Sequence, residues 1–459
     1  MNSNGVLSIQ EPARALAVRA DVDVLVVGGG PAGIIAAMAA AEGGLKVALV
    51  ESRSFVGGNL TIGLPVLGFL SQKGKPIIAG LPQKLIDRLW AKGAASEHRP
   101  CPLHVSLTLV EPEAVKSVAV EMLLERGVDL MLYSLFAGVV MDGDRLRGII
   151  IESKVGREAI LARVIIDCTG DGDVAFRAGV PCEKGDERGG MQPPTLMFCL
   201  DGVDTGKLRH NLSHDPKIYR ADFIPAEYFG QNHQFIVVGL RELIQKAQKA
   251  GLSIPTERTI LITGLRAGEV WVNMTRVQGV DGTDPRSLSA GETEARRQVT
   301  DIQRYLVEYV PGFEKAHLTK AAPFLGIRET RRIVGQYVLN RDDILTCRRF
   351  EDAIAVASYP IDLHRPNDTG CTLEWCGDCY DIPYRCLLPQ KIDNLLVAGR
   401  CISTTHEALA AIRVMSTCMA TGEAAGRAAV IAVAGGVSPS RIIVGQLREE
   451  LLARGAYLR

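Results

Sequence analysis

The sequence predicts an α/β protein: a parallel sheet carrying a three-stranded β-meander, interrupted by an inserted mixed α+β domain. Three observations carry this expectation. A βαβ pattern stands at residues 23–51, strand-like runs broken by turn signals follow to about residue 170, and a strand with a small-residue helix near 394–436 returns to the texture of the first unit.

The first unit reads in order. "DVLVV" is a short apolar run suited to a strand buried on both faces, "PAGIIAAMAAAEGG" an Ala-rich helix, and "KVALVE" a second buried strand. Helical spacing recurs in "LPQKLIDRLWAKGA" and "EPEAVKSVAVEMLLERG". The runs "VDLMLYSLFAGVVM", "RLRGIIIES" and "EAILARVIIDCTG" then form the meander, with hairpin turns at "DGD" (142–144) and "KVGRE" (154–158). The middle is richer in Pro, Arg and aromatics, with strands expected at "TLMFCL", "RTILITG" and "EVWVNMT" and a polar helix at 289–309. These readings divide the chain into a tail (1–21), a first domain (22–173), an insertion (174–385), the return of the first domain (386–436) and a helical extension (437–459).

Bulk properties exclude several classes. The 459 residues carry 52 basic and 52 acidic side chains, so no global basic field points to nucleic acid. The first segment lacks a secretory apolar core, and no apolar run reaches the ~20 residues of a membrane span. Eleven cysteines, an odd number, without such a signal suggest reduced thiols and a cytoplasmic protein. A homo-oligomer is compatible with the sequence but not specified by it.

The segment "GGGPAG" places Gly28, Gly30 and Gly33 in G-x-G-x-x-G spacing between a strand and a helix. The first glycine permits the tight turn, the second lets backbone approach a pyrophosphate, and the third lets helix and strand pack closely. The loop, with Pro31 and Ala32, puts phosphates on the positive end of the helix. Glu51 ends the second strand, suited to ribose hydroxyls, with Ser52 and Arg53 beside it. A Rossmann-like dinucleotide site follows. Three further features favour FAD over NAD: the pair Gly57 and Gly58 leading to Asn59 and Leu60, the strand end Thr169, Gly170 and Asp171, and "NLLVAGR" with Gly399 and Arg400 before a small-residue helix entered through Val414 and Met415. Phe136 and Ala137 complete the expected cofactor contacts. No second glycine motif of this kind is present, which argues against a separate pyridine-nucleotide domain.

On "VVGGGPAG", "GGNLT", "IDCTGDGDVAFRAGVP", "GIRETRRIVGQYVL", "YPIDLH", "DIPYRCLLP" and "NLLVAGRCISTTHEALAAIRVMSTCMATGEAAG", the chain resembles FAD-dependent oxidoreductases with the glutathione-reductase-like flavin fold. It is distantly similar to succinate dehydrogenase and fumarate reductase flavoproteins. Some of those bind flavin covalently through a histidine; "GGNLTIGLPVLGF" has none, so the resemblance implies non-covalent FAD.

That resemblance implies an enzyme taking a hydride from a small polar substrate to flavin N5, for an unidentified electron acceptor. The carbon oxidised bears a hydroxyl or amine, or belongs to an activated CH–CH pair. The alternatives are reduction of an activated double bond and an electron-transfer subunit. Catalysis needs a proton acceptor and a substrate anchor. His406 in "STTHEALAAIRVM" and His364 in "YPIDLHRP" are the expected bases, and Arg328 and Arg413 the expected clamps for an oxyanion or the reduced flavin. Tyr337, Asp362 and Tyr384 are expected wall residues. Finally, "CTLEWCGDCYDIPYRC" gathers Cys371, Cys376, Cys379 and Cys386 in a spacing that matches neither a plant-type iron–sulfur set nor a zinc site; no metal is assigned, and a thiol-rich loop over the flavin cleft is expected.

Overall fold

A computed structural model describes residues 9–459. Its central sheet is parallel through five strands, in the order Asp129–Met131, Val47–Val50, Ala17–Val27, Gly156–Asp167 and Leu395–Val397. Val24 through Val27 are buried on both faces, and burial stabilises by about 1.5–3 kcal/mol per such side chain. The strand Gly156–Asp167 has two roles. Its C-terminal half lies between Ala17–Val27 and Leu395–Val397, while its N-terminal half closes a meander with Arg145–Ser153 and Leu135–Asp142.

Two sequence expectations need correction. The tail expected to reach residue 21 contains strand from Ala17, paired with Glu158; residues 17–21 are mostly exposed and give no apolar run. The expected tail's first eight residues lie outside the described ones. The run "VDLMLYSLFAGVVM" is two strands rather than one. Asp129–Met131 joins the parallel edge and Leu135–Asp142 the meander, because the chain must cross from one side of the sheet to the other.

The first helix, Pro31–Ala41, and the long helix Met415–Gly435 pack through small residues. A Cβ on Gly422 would stand 2.2 Å from the Ala32 carbonyl oxygen, and one on Gly426 would stand 2.4 Å from that of Ala36. The two glycines lie one helical turn apart, so the backbones approach along a continuous stripe.

A second hydrophobic core gathers mainly residues 196–325. Its antiparallel sheet runs Ile236–Gly239, Thr259–Thr263, Val270–Val272, Phe198–Asp201 and His317–Ala321. The helix Pro285–Tyr309 covers one face with Ala295, Val299, Ile302 and Leu306, its first turn capped by Asp284. Residues 333–388, Tyr359 excepted, contribute their buried apolar side chains to the first core instead. Among the described residues no helix is long and apolar enough to cross a membrane.

Candidate active site

Backbone builds the cofactor cradle. Gly28 has φ +100°, and a Cβ there would lie 2.5 Å from the Cys168 carbonyl oxygen. At Gly33 a Cβ would lie 1.8 Å from the Gly28 carbonyl oxygen. Gly30 differs: nothing stands within 4 Å of where its Cβ would be, and that space lies at the N-terminus of the first helix. This is the cradle a pyrophosphate fits. Gly58 closes it from the other side, where a Cβ would approach Gly30 Cα to 2.9 Å.

Glu51 holds this loop. Its Oε2 accepts from Gly29 N–H at 2.8 Å, and its Oε1 from Arg53 N–H at 2.9 Å and the Ser52 hydroxyl at 3.0 Å. Three of about four acceptor positions are used, which leaves about one for a ribose hydroxyl. The Arg53 guanidinium lies 3.7 Å over the Phe324 ring. Phe136 and Ala137 lie on the outer meander strand; the preceding Tyr133 and Ser134 donate to the Arg53 and Glu51 carbonyls at 3.1 and 3.0 Å.

The second close approach is fixed by the buried Asp167, which accepts from Thr169 N–H, the Thr169 hydroxyl and Ala175 N–H at 3.1, 2.7 and 3.0 Å. Gly170 (φ +77°) then lets Asp171 reach Arg400 at 2.7 Å, with the Thr330 hydroxyl donating to the same carboxylate at 2.6 Å. Gly399 (φ +88°) donates its N–H to the Thr421 hydroxyl at 3.1 Å.

Next to the cradle, from Asn59 onward, lies a cavity of about 520 Å³. Asn59, Arg400, Val414 and Met415 line it together with Arg328, His364, Arg413 and Asp362, so residues expected to touch cofactor and substrate share one space. Leu60 is buried beside Asn59 in the short helix Gly58–Thr61.

Asp362 is the hub of the polar end. It receives the Tyr359 hydroxyl at 3.2 Å, faces His364 Nε2 at 3.4 Å and Arg413 Nη2 at 3.6 Å, and receives the Cys371 thiol at 3.5 Å. Burial alone would raise this carboxyl, but the His364 ring N–H and Arg413 outweigh it and hold it well below the usual range. On the other ring nitrogen, Arg276 Nη1 donates to His364 Nδ1 at 3.1 Å. Burial and then Arg328 push the His364 pKa down to about 4, so the ring is neutral. Arg328 donates from Nη1 to the Pro193 carbonyl and, at 2.8 Å, to the Thr195 hydroxyl. Burial and neighbouring Arg413 lower its pKa to about 9, which leaves it cationic at neutral pH.

His406 is placed elsewhere. Its Nδ1 lies 2.8 Å from Glu329 Oε1, which also takes Arg332 Nη1 at 2.6 Å, while Glu329 Oε2 accepts Gln192 N–H at 3.1 Å. Arg332 continues to the carbonyls of Gly185 and Thr404. This buried group braces three chain segments, and His406 does not line the cavity. Nor do Tyr337 and Tyr384, whose hydroxyls donate to Asp343 and the Pro439 carbonyl.

The four clustered cysteines do not share one site. Cys371 lines the cavity, while Cys376, Cys379 and Cys386 are all buried in the first core, where Cys376 accepts from Gln72 and Cys379 from Arg459. Burial pushes Cys371 and Cys376 up to about 11 and about 12, away from the thiolate a metal or redox site would use.

Among the cavity residues not proposed as site residues from sequence are His104, Tyr359 and Arg276. The His104 ring stacks on Tyr359 with centroids 6.2 Å apart, and its Nδ1 lies 3.7 Å from Cys101 Sγ. Tyr359 opens the "YPIDLH" motif, but no periodicity or motif marks His104 or Arg276.

The profile of the FAD dependent oxidoreductase family matches residues 23–451. The chain belongs to this family. FAD is therefore the cofactor, and the protein is an oxidoreductase. Among curated proteins, this FAD-dependent oxidoreductase is 39% identical over 82 residues to a ferredoxin–NADP reductase of Nocardioides sp. (strain ATCC BAA-499 / JS614), covering 15% of this chain and 25% of that one. It is 25% identical over 167 residues to a thiamine thiazole synthase of Aeropyrum pernix, covering 34% and 57%. The matches thus span a quarter and just over half of those relatives' lengths. Among solved structures, flavin-dependent brominase Bmp2 aligns with TM-score 0.51 at 13% identity, over 94% of this chain and 83% of that one. The p-nitrophenol 4-monooxygenase PnpA of Pseudomonas putida aligns with TM-score 0.50 at 13% identity, over 95% and 85%. These likenesses establish the shared fold.

Proposed function

We propose that this oxidoreductase is a dehydrogenase or oxidase that takes a hydride from a small molecule bearing a carboxylate or similar oxyanion. The observation that carries the reading is the pair Arg328 and Arg413 in a cavity also lined by Asn59, Arg400, Val414 and Met415, the expected cofactor contacts. Each guanidinium makes few bonds within the protein, and Arg413 Nε is buried without a partner. Bound FAD supplies the acceptor for two electrons.

The chain's own groups bind, orient and move the proton. Arg328 and Arg413 hold the oxyanion by charge-assisted hydrogen bonds. Asp362 steadies Arg413 but is too acidic, and too fully hydrogen-bonded, to serve as base. His364 is engaged at both nitrogens, by Arg276 and Asp362. His104 is the better candidate. Among the described residues its Nε2 has no hydrogen-bond partner, and assigning the ring proton to Nδ1, facing Cys101, leaves the Nε2 lone pair available. Burial depresses its pKa and keeps it neutral at pH 7. As the substrate C–H bond breaks with its electron pair, the hydroxyl or amine proton passes to His104 Nε2.

FAD is held non-covalently in this reading, since no histidine occurs between Gly57 and Phe69. Anaerobic titration of the purified yellow protein with hydroxy acids, amino acids and neutral sugars tests it. Bleaching by carboxylate-bearing compounds alone is expected, whereas no bleaching by any acid, or equal bleaching by neutral sugars, would overturn it.

A further inference from the structure

The cavity has a second end that the oxyanion does not use. Two neighbouring strands of the second sheet, Ile236–Gly239 and Thr259–Thr263, turn four apolar side chains toward it: Ile236, Val238, Ile260 and Ile262. They are two directly opposed cross-strand pairs, Ile236 with Ile262 and Val238 with Ile260. Alternation along a strand puts Val237 and Leu261 on the opposite face, where both are fully buried. The four side chains therefore make a continuous apolar wall. Two large apolar residues extend it outward: Phe223 and Trp375 line the same cavity and are 65% and 41% exposed, which places them at its opening.

Positive charge without a dedicated partner is concentrated at the other end; Arg258, which lies over the Phe223 ring, and Glu257 also line the cavity but are taken up by Asp222 and by Arg241 and Thr369. Three guanidiniums, Arg276, Arg328 and Arg413, surround the single carboxylate Asp362, and His364 is neutral, so positive charge is in excess there. A compact polar acid would satisfy the arginines and leave the wall against water. A neutral apolar molecule would cover the wall and dry the arginines without offering an acceptor, leaving buried donors such as Arg413 Nε unpaired, an expensive arrangement.

We infer that the substrate is an amphipathic acid: a carboxylate or comparable oxyanion joined to an aliphatic or aromatic body of several carbons, seated with its head at Arg328 and Arg413 and its body along the Ile236–Ile262 and Val238–Ile260 pairs. This rests on the proposed oxidation at the same cavity and adds the class of molecule oxidised. The body extends toward Phe223 and Trp375, so a longer chain reaches the opening without a change of pocket shape.

Binding of non-oxidised acids separates this inference from the reaction. Butyrate, hexanoate, octanoate and 3-phenylpropionate, with succinate and octylamine as comparators, are titrated into the flavin-loaded protein. Heat release and the shift of the flavin's visible bands are the readouts. Each methylene that enters the wall should tighten binding about fourfold, so octanoate should exceed butyrate more than tenfold, with succinate and octylamine weak. The variants Val238→Asp and, at the half-buried position, Ile260→Asn should flatten the dependence on chain length. Equal affinity for butyrate, succinate and octanoate, or a slope unchanged in both variants, overturns the amphipathic assignment while the arginine clamp stands. Octylamine binding as tightly as octanoate overturns the clamp and with it the acid head. Chain-length-dependent acid binding without anaerobic bleaching by any hydroxy or amino acid of that class sinks the oxidation reading alone.

Discussion

The cofactor cradle and the substrate cavity of this FAD-dependent oxidoreductase adjoin but are built in different ways. The cradle is made from backbone and the absence of side chains: Gly28 and Gly33 have no room for a Cβ, Gly58 presses on Gly30, and Gly422 and Gly426 press on the first helix. The cavity is made from side chains of distant segments, with His104, Arg276, Arg328, Asp362 and Arg413 each contributed by a different stretch of chain. A backbone site fails when anything is added to it. A side-chain site fails when one functional group is removed and otherwise keeps its fold.

The largest expected effect breaks the cradle. Gly33→Val should yield protein without flavin and largely unfolded, since the new side chain meets the Gly28 carbonyl. Gly30→Ala provides the contrast, because the protein itself leaves that space open. It should keep its melting temperature within a few degrees yet purify with much less flavin, read from the ratio of visible to ultraviolet absorbance. Flavin retained at wild-type stoichiometry in Gly30→Ala would show that the pyrophosphate lies elsewhere.

The next comparison sets two histidines against each other. His104→Gln should slow anaerobic flavin reduction by about 10²–10⁴-fold, the usual range for a proton acceptor. In the wild type the rate should fall on the acid side as His104 gains a proton, and burial places that fall below the ordinary histidine range. The variant should lose this limb. His406→Gln should instead lower the melting temperature while the reduction rate changes little, because His406 bonds Glu329 away from the cavity. A reversal of the two phenotypes would restore His406 as the base.

The smallest effect concerns the joint between the first-domain helices. Burial raises the Glu423 carboxyl to about 7, with Leu81 N–H at the start of helix Leu81–Ala91 bonded to it. The folded state holds this proton at pH values where the unfolded chain has lost it. Stability should therefore decline as pH rises from the ordinary glutamate value through about 7, by up to ~3 kcal/mol. Glu423→Gln should remove most of that decline in urea unfolding measured from pH 5 to 8.

The same contrast explains what the sequence reveals. Gly28, Gly30, Gly33 and Glu51 are legible because the cradle's chemistry lies within one βαβ unit and each glycine has its own steric reason. Arg328, His364 and Arg413 are also visible in sequence, as polar residues near expected cofactor contacts, and they line the cavity. His406 shares that cue but turns toward Glu329, a partner 77 positions away that no local pattern announces. His104 and Tyr359 meet only because the strand pairs and both cores fold around them. The cysteine run shows the converse: thiols adjacent in sequence are divided between the cavity, which takes Cys371, and the first core, which takes Cys376, Cys379 and Cys386.

The contact of Gly422 and Gly426 with Ala32 and Ala36 also bears on how the protein is made. The first helix is synthesised early, but its small-residue face has no cover until the helix Met415–Gly435 leaves the ribosome almost four hundred residues later. Pairings so far apart in sequence form late and slowly. The N-terminal sheet thus waits, with its first helix uncovered on that face, through synthesis of the entire second core. Tight flavin uptake becomes a closing event of biogenesis rather than a nucleus around which the chain assembles.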